Sequence, residues 1–218
     1  MKKYAFFNVD GAILYTLTAS ANALSAALVG ENTSVTAEEA AVLFCGAPAA
    51  DALVDIFGFD LGKARQIAER YHDYLKGRGI FDFDVIDGIV LALEKLKEKD
   101  VRIYAVSTML DSTVKAVLEY TKLAPYFSYI KGSTADGRRS SIEDIISYML
   151  DFCAIGAEEK KEAVLVGSRW RDRMAAEVLG IDYLCAAYGF IDRSELETVS
   201  ADNIVKAPSK LPAKICKK

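Results

Sequence analysis

The sequence predicts an α/β fold: a Rossmann-like parallel sheet core with a helical insert. Three observations predict it. Residues 4–8, YAFFN, form a short apolar, aromatic run closed by turn chemistry, as a buried strand does. From residue 88 onward, short apolar runs alternate with amphipathic segments, which argues parallel strands with helices on both faces. Between these regions, residues 16–84 carry Ala, Leu and charged residues at helical spacing with no clear strand signal. The expected division is a core of residues 1–15 and 85–218 and an insert of residues 16–84.

Each element has its own signal. In the insert, TASANALSAALVG has a helical apolar face and stops at Gly30. TAEEAAVLF opens with Thr36 as N-cap and Glu39 three residues on, the spacing of a capping box. LGKARQIAERYHDYLKGRG is an amphipathic helix stopped by glycines. In the core, GIVLALEKLKEKD reads as helix, VRIYAVST as strand, DSTVKAVLEYTKL as helix and FSYIKG as a short strand. SSIEDIISYMLDFC is a helix starting near Ser140 or Ser141, followed by strand EAVLVG, helix RDRMAAEVLG and strand IDYLCAAYG. The C-terminal APSKLPAKICKK reads as a last short helix or a frayed basic tail.

Bulk properties exclude several functions. The 218 residues suffice for one sizeable core, and 52% hydrophobic with 27% charged residues suits a globular protein. A net charge of −4 gives no electrostatic support for nucleic acid. No apolar run approaches the roughly 18 residues of a membrane span, and the N-terminus does not read as a signal peptide. Cys45, Cys153, Cys185 and Cys216 are scattered, no CxxC pair exists and His72 is the only histidine, so a structural zinc site is not expected. Reduced cysteines and a cytoplasmic location are the simple expectation.

Ligands of such sheets bind beyond the carboxyl ends of the strands. The ends to watch are Asn8-Val9-Asp10, Ser107-Thr108 and Gly167-Ser168-Arg169. Brought together they supply an acid, a hydroxyl pair, a basic side chain and, from Asp172, a second carboxylate. That set would suit phosphate.

These residues carry a resemblance. In the order of its motifs the chain resembles the haloacid dehalogenase (HAD) superfamily, in its phosphoglycolate phosphatase-like branch. Further stretches contribute: FCGAPAADAL (44–53), similar to the family's substrate loop, the approach to the second motif (79–108), RRSSIEDIISYML (138–150) and VGSRWRDRMAAEVLGIDYLCAAYGF (166–190). The resemblance implies a HAD fold, makes the insert a helical cap, and implies phosphoryl transfer through an aspartyl-phosphate with Mg²⁺. It also shows what is missing. Asn8 stands at the nucleophile position, two residues before Asp10 at the acid/base position. Ser107 matches the phosphate-binding hydroxyl. Ser141 stands where a Lys is expected, with Glu143 as the acid two residues on. Ser168 replaces one metal-ligand acid, while Asp172 retains the other. Ala12 replaces a Thr.

These replacements have chemical consequences. A carboxamide cannot form an acyl-phosphate. Removing a nucleophile costs on the order of 10⁶ in rate in a well-studied hydrolase. Mg²⁺ wants anionic oxygens, and the two positions that would touch it directly, 8 and 168, are neutral; Asp172 would reach it only through water. Ser141 removes a fixed positive charge. The losses are mutually consistent, because carboxylates without a metal repel one another.

Every candidate also has a plainer reading. Asp10 is either a residual acid/base or, as preferred here, a turn residue bonding nearby N–H groups. Ser107 either holds phosphate or starts the next helix, and Thr108 shares its place. Arg169 either meets a bound anion or pairs with a surface acid. Asp172 reads as a partner for an Arg or for backbone amides more than as a metal ligand. Trp170 reads as packing or a cap contact, His72 as a solvated side chain and Cys45 as cap packing. Arg138-Arg139 could replace the missing Lys charge, with a solvated loop as the default.

The function expected is a HAD-like phosphatase homologue binding a small phosphorylated molecule or a partner with little or no turnover. The alternative is an active Mg²⁺-dependent phosphatase of small phosphorylated metabolites, and a third reading is a scaffold using apolar cap residues such as Leu53 and Phe57. No cofactor is expected, or Mg²⁺ under the enzyme alternative. No nucleic acid and no membrane are expected as partners; a protein partner is not specified.

Overall fold

The computed structural model describes residues 1–33, 36–44, 47–191 and 193–217. The chain opens with β1 (Tyr4–Asn8), a four-residue turn α1 (Val9–Ala12) and the short strand β2 (Leu14–Tyr15). Four helices follow: α2 (Leu17–Ala27), α3 (Ala37–Phe44), α4 (Ala49–Phe57) and α5 (Leu61–Lys76). The chain then returns through β3 (Asp84–Val85), α6 (Ile89–Lys97), β4 (Arg102–Leu110), α7 (Asp111–Tyr120) and β5 (Tyr129–Ser133). It continues with α8 (Ile142–Phe152), α9 (Ala157–Lys160), β6 (Ala163–Gly167), α10 (Trp170–Leu179) and β7 (Asp182–Ala186). It ends with α11 (Arg193–Glu197), β8 (Ile204–Val205) and α12 (Leu211–Ile215).

The main sheet has the order β5-β4-β1-β6-β7-β8, with every pairing parallel. This is the α/β class with a Rossmann-like core. Side chains alternate across a strand, and here both faces are buried. Phe6 joins Tyr104, Val106 and Leu165 on one face. Ala5 and Phe7 join Ile103, Ala105, Val164 and Val166 on the other. From β1 the later strands add on one side as β4 and β5 and on the other as β6, β7 and β8. The direction of winding therefore reverses beside β1, where a crevice opens at the carboxyl ends.

The helices α2 to α5 share an apolar cluster with one face of the sheet through Ala19, Leu24, Leu53 and Ile67. Their sequence expectation holds well at α3, where Thr36 and Glu39 exchange the two bonds of a capping box, at 3.0 and 3.2 Å. The antiparallel pair β2–β3 ties together the two strands that lead into and out of this segment.

Several details differ from the sequence reading. β8 was not expected; two residues are too few for a periodic signal, and pairing with β7 creates the strand. The stretch likened to a substrate loop becomes helix α4 from Ala49, entered through Pro48 in extended conformation; Cys45 and Gly46 lie outside the described residues. Of the two readings of the C-terminus the short helix holds, as α12: Leu211 and Ile215 are buried, and the Ile215 carbonyl accepts the Lys2 N–H at 3.0 Å. Among the described residues, no helix is long and apolar enough to cross a membrane.

Candidate functional site

The site grows from the end of β1. Asn8 is its last residue and is fully buried. Asp10 (φ −71°, ψ 108°) and Gly11 (φ 79°, ψ −10°) then leave helical geometry and make a type II turn. Glycine is required twice here. Only it takes the positive φ without strain, and a side chain at position 11 would collide with the Ser168 hydroxyl. The turn therefore presses the β1 end against the β6 end.

β4 supplies the hydroxyls. Its register with β5 shifts between Val106 and Leu110, and this irregularity turns Ser107 toward β1. Ser107 Oγ donates to Asp10 Oδ2 at 2.8 Å and accepts the Met109 N–H at 3.0 Å. It does not start the next helix, which begins at Asp111. Thr108, half-buried, lines the adjoining cleft.

β6 and α10 supply Asp172, 1% exposed. Its Oδ2 accepts the N–H groups of Ser168 at 2.9 Å and Arg169 at 3.0 Å. This closes the N-terminus of α10, where a carboxylate is favoured. Its Oδ1 accepts from Asn8 Nδ2 at 2.8 Å. Asn8 Oδ1 in turn accepts the Asp10 N–H at 3.2 Å. Gly167 makes room, since a Cβ there would overlap the Asp172 carboxyl group.

Both acids are hard to ionise in this setting. Burial pushes the Asp172 carboxyl up to about 6, against the opposing pull of the Asn8 amide and the two backbone N–H groups. Burial also raises Asp10, opposed by the hydroxyls of Ser107 and Thr16.

The donor set can be tested against the Mg²⁺ that the resemblance implies. Among the described residues, no group of three or more His, Cys, Asp or Glu is placed to hold a metal ion. The Asn8 amide directs an N–H at the free oxygen of Asp172, where a cation would have to sit. Mg²⁺ needs anionic oxygens and dehydrates reluctantly. The residues present do not fit it.

Beside this network lies a cavity of about 730 Å³ between α4, α5 and the ends of β4 and β5. Among the described residues its wall carries Asp51, Glu69, Asp73 and Asp136 and one cation, Arg65. His72 also lines it and reaches a small adjoining recess beside Asp10 and Thr108. The expectation of a solvated His72 is corrected: its Nδ1 is buried without a hydrogen-bond partner, and the ring stands edge-on to Tyr71. Burial holds its pKa down at about 4, so it is a neutral imidazole near pH 7. A signal existed. His72 lies four residues after Ala68, at the edge of the buried stripe Ala64, Ile67, Ala68, Tyr71 and Leu75 of α5.

The structure thus brings Asn8, Asp10, Ser107, Ser168 and Asp172 together. It sets two other candidates apart. Arg169 is buried, with Nη1 donating to the Phe190 carbonyl at 3.2 Å and Nη2 lying 3.6 Å from Glu195. It anchors the chain before α11 instead of facing the cleft. Ser141 caps α8: its Oγ accepts the Asp144 N–H at 3.1 Å, and Asp144 Oδ2 accepts the Ser141 N–H at 3.3 Å. The acid that reaches back in this capping box is Asp144. Arg138 pairs with Asp136 at 2.6 Å, and Arg139 lies over the Tyr148 ring at 4.0 Å. Each therefore has a partner of its own outside the Asn8 network. Trp170 is 45% exposed.

Comparison with known proteins agrees with this architecture. The family model described as haloacid dehalogenase-like hydrolase matches residues 5–186. A 5'-nucleotidase of Pseudomonas aeruginosa is 26% identical over 153 residues, 70% of this chain and 68% of that protein. A crystal structure described as a predicted phosphatase from Clostridium acetobutylicum superposes with a TM-score of 0.91 at 28% identity, covering 99% of this chain and 98% of that one. One described as a predicted phosphoglycolate phosphatase from Haemophilus somnus gives 0.77 at 20% identity, covering 96% of each chain.

Proposed function

The chain belongs to the haloacid dehalogenase-like hydrolase family, and from that premise we propose a phosphatase homologue with little or no phosphoryl turnover that keeps a cleft for a small phosphorylated molecule. One observation carries this reading. Asn8 Nδ2 donates to Asp172 at 2.8 Å, so an amide proton links groups that a metal would otherwise bridge. The amide offers no anionic oxygen to attack phosphorus, and Asp172 is held by three N–H donors. Asp10 is in turn committed to Ser107. Without nucleophile, fixed cation or metal, the electrostatic stabilisation of a transferring phosphoryl group is missing.

The ligand reading belongs to the same proposal, with residues 16–84 as the cap over the cleft and the cytoplasm as the site of action. Thr108 offers a hydroxyl and Arg65 a charge to a phosphoryl group. With Asp136 paired to Arg138, the remaining acids Asp51, Glu69 and Asp73 disfavour a polyanion, so a phosphate monoester fits better than a di- or triphosphate.

Hydrolysis of an aryl phosphate, with and without Mg²⁺, tests the proposal. The unmodified chain should show no metal-dependent turnover, and the variant Asn8→Asp/Ser168→Asp/Ser141→Lys should gain it. Metal-dependent turnover by the unmodified chain would instead establish the enzyme alternative.

A further inference from the structure

We propose that the ligand of the cleft is a phosphate monoester carrying a protonated amine, its phosphoryl end on hydroxyls of the sheet edge and its ammonium end on carboxylates of α4 and α5. The inference rests on the phosphate-cleft reading above and names the ligand class for that cleft. The cavity of about 730 Å³ lies within the range of small-molecule sites. Its sheet wall holds an incomplete polar group. Ser133 is 5% exposed and lines the cavity, yet its hydroxyl has no hydrogen-bond partner among the described residues. It stands opposite Leu110, just past the register shift of β4. Thr108 lines the same cavity, its hydroxyl likewise without a partner among the described residues. A buried hydroxyl left unpaired costs free energy that a ligand oxygen can recover, and both hydroxyls can donate to a phosphoryl group.

Charge on the helical wall decides the rest of the ligand. Leu61, Arg65, Glu69 and Asp73 follow one another at four-residue spacing, so they share the face of α5 that lines the cavity. Asp51 joins them from the first turn of α4. Like charges one helical turn apart repel, and Asp51, Glu69 and Asp73 have no ion pair among the described residues. Two further cations of α5, Lys63 and Arg70, turn to Glu31 at 2.7 and 2.8 Å instead. Three carboxylates against Arg65 leave the cleft with negative charge in excess. A plain alkyl monoester brings its phosphate into that field with nothing to offset it, and a carboxylate-bearing monoester adds a second repulsion. An ammonium group on the same molecule reverses the sign at the acids. Its attraction is stronger in a cleft between protein walls than in open water.

Isothermal titration of the full chain at low salt tests the inference. The probes are aminoethyl, aminobutyl and aminohexyl phosphate, each against the alkyl phosphate of equal length, with phosphoglycolate as the acidic comparison. At least one amine ester should bind about tenfold or more tightly than its alkyl counterpart, phosphoglycolate should bind weakest, and the preference should shrink as salt is raised. Asp51→Asn/Glu69→Gln/Asp73→Asn should abolish the preference; all three positions are exposed, so the fold is retained. Ser133→Ala should weaken amine and alkyl esters alike. Equal binding of amine and alkyl esters at every length overturns the amine and leaves the phosphate cleft standing. So does a preference that survives in the triple variant. Affinities untouched by Ser133→Ala overturn the placement of the phosphoryl end. Failure of every ester to bind overturns the cleft reading and this inference with it.

Discussion

At the scale of single residues, the site is governed by what Asn8 can donate. A carboxylate at position 8 could still accept the Asp10 N–H, but it would have no proton for Asp172. Two acids would then face each other across the present 2.8 Å contact. We expect Asn8→Asp to lose about 1–3 kcal/mol at pH 8, by urea denaturation, and to recover much of it near pH 5, where the pair shares a proton. An undiminished stability at pH 8 would show that the amide bond contributes nothing. Positions 8 and 10 were singled out through the resemblance to the HAD family's first motif, which implies two acids two residues apart. The bond from Asn8 to Asp172 was not legible. It joins residues 164 positions apart, and no local pattern reports such a pair.

At the scale of elements, Ser141 has a plain structural role. With Asp144 it forms the capping box of α8. Ser141→Ala should cost about 1 kcal/mol in chemical denaturation, and Ser141→Lys about the same, because neither side chain can accept the Asp144 N–H. Capping lost without a measurable change in stability would contradict that role. Helices and strands were largely readable one at a time. The α3 capping box, the apolar run of β1 and the amphipathic face of α5 are local signals, and each yielded its element. The short strands β2, β3 and β8 were not readable. Two residues carry no period, and only a partner strand makes them extended.

At the scale of the whole molecule, two buried titrating groups pull stability in opposite directions. Asp172 binds its proton more tightly folded, with a pKa of about 6 against an ordinary 3.8. Its contribution is present at acid pH and fades as pH rises through 6, by about 3 kcal/mol in all. His72 binds its proton less tightly folded, at about 4 against 6.5. Its neutral form is accommodated above pH 6.5, and stability falls as pH drops toward 4, by a similar amount. The two slopes nearly cancel between pH 4 and 6. Removing one exposes the other: from pH 7 to pH 4, His72→Gln should gain up to about 3 kcal/mol relative to the unmodified chain in urea denaturation. A constant difference across that range would mean that His72 is solvated after all.

The sequence alone determined the fold class, the alternation that makes the sheet parallel and the helical nature of much of the segment between β2 and β3. These depend on periodicity and spacing, which the chain carries locally. Tertiary structure decided where the surviving groups point. Arg169 turns to Glu195 and the Phe190 carbonyl, His72 turns into the cleft wall, and Asp172 takes the Asn8 amide. Side-chain partners of this kind are set by which strand ends meet beside β1, and sheet order is a global property that no window of sequence contains.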